Sequence, residues 1–263
     1  KDGNAYTPTN ANFGGVFSTD SKSDYLIDGY DELECDVTIG SNVRTIHPYM
    51  FSKLHVKNVT MADGVTSIGE GAFYDCDKLI NITIAGTVNS IANDVFYDCD
   101  NLSSVSFLPS PTNTALNMGY QMNALANQVG PFSDASLEQV KLNRNINYTL
   151  YEEGGLDDDG EALFSGDDNS FSVEMGNQVT IVSPYMFAYS GITSVNIPVS
   201  VTAIKTNAFR DCENLQTVVI EPSSEHIKIS AQHSDDSYMT TYGTFYQSPL
   251  RTIKLGRHID YYS

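Results

Sequence analysis

The chain has 263 residues, 33 of them Asp or Glu and only 14 Lys or Arg, for a formal net charge of −19. That balance argues against nucleic-acid binding, which needs clustered Lys and Arg to neutralise phosphates, and against docking on an anionic membrane surface. Apolar residues make up 41%, but no apolar run approaches the roughly 18 residues of a transmembrane helix.

Residue 1 is Lys, and no charged-then-apolar leader follows it. The expectation is a processed or truncated chain whose signal or anchor lies outside this sequence.

Read in order, the chain repeats one unit: V-x-x-I-x3-[small or Met]-F, then Leu, then V-x-I. Copies centre on Phe51, Phe73, Phe96, Phe187 and Phe209, and Val65 to Phe107 states the unit twice in succession. Phe132 and Phe245 follow long gaps but recover the same downstream spacing, and Phe17 and Phe164 mark weaker copies. Successive intervals are 34, 22, 23, 36, 32, 23, 22 and 36 residues, so four are bare repeats and four hold an insertion. The insertions fall near 18–32, 109–129, 147–161 and 222–242, and repeat insertions map to loops on one face or edge. Each V-x-I reads as a short strand with two side chains inward and one outward. The Ala-Phe-x-x-Cys-x-x-Leu segment reads as one helical or 3-10 turn. Stacked coils then place the V-x-I strands side by side in a parallel sheet, and nine of them, at about 4.8 Å each, span roughly 40 Å. The expected organisation is one solenoid domain over 1–263, with 1–36 as an irregular capping coil.

Ala72 to Ile84, Val95 to Phe107 and Ala208 to Ile220 carry this pattern best, and Ile197-Pro198-Val199-Ser200-Val201 adds an Ile-Pro link. Together they resemble the BspA-like leucine-rich repeat family. The resemblance implies a leucine-rich-repeat solenoid, a right-handed superhelix of about nine coils of 22–23 residues. It also implies display on a bacterial cell surface or secretion, and adhesion to host or neighbouring-cell macromolecules. The family has no shared catalytic residues to carry over. The insertions depart from its pattern, as do the coils at Phe51, Phe132, Phe187 and Phe245, which lack the Cys.

Candidates for chemistry are few. Cys76, Cys99 and Cys212 share one repeat position, three after the Phe, and read as a buried ladder of free thiols; Cys35 stands outside it. The acids flanking that position (Asp75/Asp77, Asp98/Asp100, Asp211/Glu213) recur with the coils, which suits turn capping better than a single catalytic site. Glu152 to Glu161 is densely acidic, but the later bidentate Glu of a calcium loop is out of register. The histidines are scattered without a metal-ligand spacing, and no nucleotide or hydrolase motif occurs. No cofactor or metal is therefore expected, and no enzymatic activity. A glycan-active enzyme using Asp157 and Glu161 is the remote alternative. If the source is bacterial, as the resemblance implies, the sequons at Asn58, Asn81, Asn101 and Asn147 mean nothing for glycosylation.

Two surfaces remain for recognition. The outward strand positions, with Asn58, Thr60, Asn81 and Thr83 as examples, form a small, polar face of the kind solenoids use for binding. The insertions supply Tyr120, Tyr148, Tyr151, Tyr238 and Tyr242, and Tyr is a good contact residue for proteins and sugars. The reading is a non-enzymatic extracellular module that engages protein or glycan, with a structural spacer as the alternative. Leu255 to Ile259 and Tyr262 begin a further coil, so the C-terminal edge is expected to be open and to self-associate.

Overall fold

The computed structural model describes residues 34–119, 121–122, 128–129, 131–132, 135–148, 163–164, 172–230, 232–233 and 241–262. Each coil contributes two strands, not one. The V-x-I segments form the first sheet. Cys35–Ile39, Val56–Met61, Asn81–Ile84, Ser104–Phe107, Gln139–Leu142 and Ser172–Met175 make six parallel strands, and Ser194–Ile197, Thr217–Ile220 and Thr252–Leu255 continue as three more. Register advances one repeat per strand: Asn81 pairs Ser104 and Ile84 pairs Phe107, then Ser104 pairs Gln139 and Phe107 pairs Leu142.

The second strands are short. Thr45–Ile46, Ser67–Ile68, Ser90–Ile91, Leu116–Met118 and Ile146–Tyr148 form one parallel sheet, and Ile181–Val182, Ala203–Ile204, Ile227–Ser230 and Ile259–Tyr262 form another. The Ile of the sequence motif Val-x-x-Ile sits here. Five of these nine strands have only two residues and none exceeds four, too short for an alternating pattern to reveal, so this second column of strands is not visible in the sequence.

Between the second strand and the next V-x-I the chain makes a succession of tight turns, and no helix occurs among the described residues. The bonds are of the i to i+3 kind: the N–H of Cys99 donates to Phe96 (3.3 Å) and that of Leu102 to Cys99 (2.8 Å). The reason is lateral bonding. The N–H of Phe73 donates to Val95 of the next coil and that of Phe187 to Ala208, each at 2.9 Å. Amides committed between coils cannot also close a helix. The geometry also demands left-handed backbone two residues after the Phe, at Lys53, Asp75, Asp98, Tyr189, Asp211 and Gln247. A second such position, two residues before the Phe, holds Tyr49, Gly71, Asp94, Tyr185 and Asn207. Asp and Asn tolerate this region, which gives the recurring acids a backbone role. At Gly71 (φ 55°) a β-carbon would also collide with the Tyr49 ring.

The core is a column of phenylalanines. Phe51, Phe73, Phe96, Phe132, Phe164, Phe187, Phe209 and Phe245 stack in unbroken succession, with centroids 5.2 to 5.6 Å apart and planes within 29° of parallel. Phe164, the weak copy, takes its full place in the column. Phe17 lies outside the described residues. Burying a ring of this size contributes about 1.5–3 kcal/mol, and each aromatic pair adds roughly 0.5–1.5 kcal/mol.

Beside the column runs a donor ladder. The thiols of Cys76, Cys99 and Cys212 donate to the carbonyls of Phe51, Phe73 and Phe187 in the preceding coil, at 3.2, 3.1 and 2.9 Å. All four cysteines are free. In a coil without Cys, Ser248 occupies the same position and donates to Phe209 at 2.8 Å. The ladder is not continuous: at the same position Ser190 donates to Phe187 of its own coil at 2.6 Å, and Leu54 and Ala135 are buried without a side-chain donor. Burial pushes the Cys212 thiol up to about 11.

The insertions are corrected by the structure. The 109–129 segment contains the core strand Leu116–Met118, and only beyond it leaves the stack as a hairpin, Gln121–Met122 against Gln128–Val129. The 222–242 segment likewise contains Ile227–Ser230 and then the hairpin Gln232–His233 against Thr241–Tyr242. Asn147 and Tyr148 belong to the strand Ile146–Tyr148; the rest of 147–161, and all of 18–32, lie outside the described residues.

Both hairpin coils are clamped by an arginine from the following coil. Arg144, 1% exposed, donates through Nη1 to Gly86 (3.0 Å) and through Nη2 to Ala85 (3.3 Å). Arg257 donates through Nη1 to Val199 (3.1 Å) and through Nη2 to Pro198 (2.8 Å). Each reaches past the intervening coil, which passes through Pro109 and Pro111 in one case and Pro222 in the other. Proline has no N–H to offer, and the guanidinium fork supplies a donor to Gly86 and Val199; Ala85 and Pro198 also accept from the Val88 and Val201 N–H groups, each at 3.1 Å. Burial lowers the Arg144 pKa to about 10.

Candidate binding surface

The outward face of the first sheet is set by strand alternation. In Asn81–Ile84 the pattern is exposed, buried, exposed, buried, so Ile82 and Ile84 enter the core while Asn81 and Thr83 face outward. Asn58 and Thr60 are exposed in the same way. Register then aligns these residues into rows across the sheet. Asp36 pairs Asn58, Asn58 pairs Asn81, Asn81 pairs Ser104, Ser104 pairs Gln139 and Gln139 pairs Ser172. In the parallel row Thr38 pairs Thr60, while Thr83 pairs Ser106, Ser106 pairs Lys141 and Lys141 pairs Glu174. The structure therefore brings all four predicted strand residues onto one face.

The face is cross-linked by side chains. Asn58 donates to Asp36 (2.7 Å), Lys141 lies 3.4 Å from Glu174, and Asn196 donates to Glu221 (2.6 Å). These exposed pairs are worth little individually, but they present amide and hydroxyl groups at the strand spacing.

The predicted tyrosines do not assemble into one site. Tyr148 is half-buried against the core, and its hydroxyl donates to the Pro184 carbonyl, so it serves the scaffold. Tyr242 falls on the outer strand of a hairpin, Thr241–Tyr242. Tyr120, Tyr151 and Tyr238 lie outside the described residues, as do Asp157, Glu161 and the acidic 152–161 segment. Repeat tyrosines line the turn edge: Tyr74 stacks on Tyr97 at 5.5 Å, and Tyr49 donates to Glu70 at 2.6 Å. Burial and its hydrogen bond to Asp98 push the Tyr74 phenol upward. Arg210 lies 5.7 Å from both the Tyr189 and Tyr246 ring centres and donates to Asp211 at 2.7 Å.

The structure also assembles one group that sequence spacing hides. His226, His258 and Asp260 meet at the start of the last two strands of the second sheet, where each offers one ligand atom and these three atoms lie within 4.8 Å of one another. The histidines stand far apart in the chain and converge only through strand register.

A repeat coil of two short parallel strands, an internal Phe column and a thiol or hydroxyl ladder matches the BspA type leucine rich repeat region, found in 6 copies over residues 30–150 and 160–262. The chain belongs to this family. Similar solved structures include a leucine rich cell surface protein from Faecalibacterium prausnitzii, 23% identical over 87% of this chain and 60% of its own, with a TM-score of 0.32. A leucine-rich repeat protein from Bacteroides ovatus is 20% identical over 84% of this chain and 60% of its own, with a TM-score of 0.35. Another from Eubacterium ventriosum is 15% identical over 76% of this chain and 73% of its own, with a TM-score of 0.25. The chain spans about 60% of the length of the first two. No curated protein matches it. As a leucine-rich-repeat solenoid, the chain has no helix among its described residues that is long and apolar enough to cross a membrane.

Proposed function

We propose that this leucine-rich repeat chain is a non-enzymatic binding module, displayed on a cell surface or secreted, that adheres to extracellular protein or glycan. The observation that carries the reading is the outward strand face. Its rows of Asn, Thr and Ser are exposed at Asn58, Thr60, Asn81 and Thr83 and half-buried at Ser104 and Ser106, while Ile82, Ile84, Val105 and Phe107 between them are buried in the core. Repeat solenoids use such extended faces for recognition, and amide and hydroxyl groups at regular spacing suit hydroxyl-rich or peptide ligands. Membership of the family and the cell-surface description of the F. prausnitzii protein support the location. The hairpins at 121–129 and 232–242 are the second contact region.

The test is an array of glycans and extracellular-matrix proteins probed with the full chain. Binding that disappears when Asn58, Thr60, Asn81 and Thr83 are replaced by Lys assigns the strand face. Binding lost only when segments 123–127 and 234–240 are shortened assigns the regions between the paired strands. Excising the whole of 109–129 or 222–242 is not a usable control, because it removes buried Leu116 or Ile227. An array with no retained ligand overturns the reading in favour of a structural spacer.

A further inference from the structure

We propose that His226, His258 and Asp260 form a site for a divalent first-row transition-metal ion, Zn²⁺ above all, that ties together the last two strands of the second sheet. Ile227 and Ile259 are register partners on those strands, and the Ile227 N–H donates to the His258 carbonyl at 2.9 Å. His226 and His258 each precede their Ile, and Asp260 follows Ile259. Strand alternation therefore turns all three side chains to the outer face. The imidazole rings lie 4.3 Å apart, centroid to centroid. Nδ1 of His226 is 3.1 and 3.3 Å from the two Asp260 oxygens, and Nε2 of His258 is 3.6 Å from one of them.

These spacings suit one ion. Tetrahedral Zn²⁺ with bonds of about 2.0–2.1 Å holds its ligand atoms roughly 3.3 Å apart. Two imidazole nitrogens and a carboxylate are a borderline-soft set that selects Zn²⁺, Cu²⁺ or Ni²⁺ over Ca²⁺ or Mg²⁺, which take all-oxygen sets. The three side chains are exposed, so a further coordination position is open to water or to a donor on another molecule.

The bland alternative is a histidine–carboxylate ion pair. One histidine suffices for that, and the repeat itself supplies a comparison. Lys254-Leu255-Gly256-Arg257-His258-Ile259-Asp260-Tyr261 aligns with Lys141-Leu142-Asn143-Arg144-Asn145-Ile146-Asn147-Tyr148. Ile146 pairs Leu116 as Ile259 pairs Ile227. The positions equivalent to His226, His258 and Asp260 are thus Ala115, Asn145 and Asn147. The scaffold is satisfied by Ala and Asn at all three, yet the second hairpin coil and its successor carry ligands at each.

The experiment titrates the chelator-stripped full chain with ZnCl₂, CaCl₂ and MgCl₂ by calorimetry. One equivalent of Zn²⁺ is expected to bind, with a rise in melting temperature and no response to Ca²⁺ or Mg²⁺. Co²⁺ bound to the wild-type chain is expected to show visible d–d bands without a thiolate charge-transfer band, which locates the ion away from the cysteines. His226→Ala, His258→Asn and Asp260→Asn reproduce the residues of the earlier coils, so their melting temperatures in EDTA should match wild type. Each is expected to weaken Zn²⁺ binding by about 10-fold or more. The proposal is overturned if Zn²⁺ gives no heat, if Ca²⁺ binds equally well, if Co²⁺ shows thiolate bands, or if the triple variant binds as wild type.

Discussion

Asp94 is the residue at which the scaffold works against itself. It occupies a left-handed turn position (φ 54°), and its Oδ1 is buried with no hydrogen-bond partner. Desolvation, with Glu70 adding repulsion, raises its pKa to about 6. A carboxyl whose folded pKa lies above its unfolded value binds its proton more tightly in the fold. Its effect on stability is therefore neutral below about pH 4, turns unfavourable as pH rises toward 6, and stays unfavourable above. Asn207 fills the equivalent position and donates to the Tyr185 hydroxyl at 2.7 Å. Asp94→Asn is expected to stabilise the chain by about 1 kcal/mol at pH 7, after discounting for solvent screening of a half-buried group, and to have little effect near pH 3.5. Urea unfolding at the two pH values checks this. At this scale the sequence is legible where a side chain is selected by packing, as with Phe and the Cys position. It is opaque where the backbone decides: Tyr49, Lys53, Tyr189 and Gln247 are non-glycine residues held at positive φ, and nothing in their types announces it.

At the scale of elements, repeat spacing locates the V-x-I strands but not the paired second strands, whose two to four residues carry no period of their own. The same limit misplaced the insertions. Counting from Phe to Phe shows that extra residues exist, whereas only the buried Leu116 and Ile227 show that the chain completes its second strand before departing. Arg144 is the element-level compensation for the first departure. Arg144→Met removes both guanidinium bonds while keeping most of the volume; it takes the side-chain donor from the Gly86 carbonyl, whereas Ala85 still accepts from the Val88 N–H at 3.1 Å. We expect a loss of about 1–3 kcal/mol, read as a lower urea midpoint with an unchanged slope. The outward strand face was legible in full, because alternation fixes which strand residues look outward. The histidine–aspartate cluster was not, since its members meet only through register between distant segments.

For the molecule as a whole, the Phe column replaces a central core. Each coil is supported chiefly by its neighbours, so stability is close to a sum of coil terms and interface terms. Phe132 stacks on both Phe96 and Phe164 and touches Phe107 edge-on (6.2 Å). Phe132→Ala is expected to cost about 3–5 kcal/mol. It should also split a single urea transition into two, as the coils before and after it uncouple. Circular dichroism and tyrosine fluorescence would follow this, there being no Trp. Retention of one sharp transition would show that coupling runs through the sheets instead.

The two arginine clamps have a mechanical consequence. A stack bonded only between neighbours peels from its end like a zipper, one coil per rupture, and resists no more at the last coil than at the first. Arg257 and Arg144 each fasten the chain to a turn two coils back. Under tension, the coil that carries a hairpin cannot leave until the clamp beyond it has let go. The stack is therefore ratcheted, with its catches set in the coils that follow the two antiparallel strand pairs.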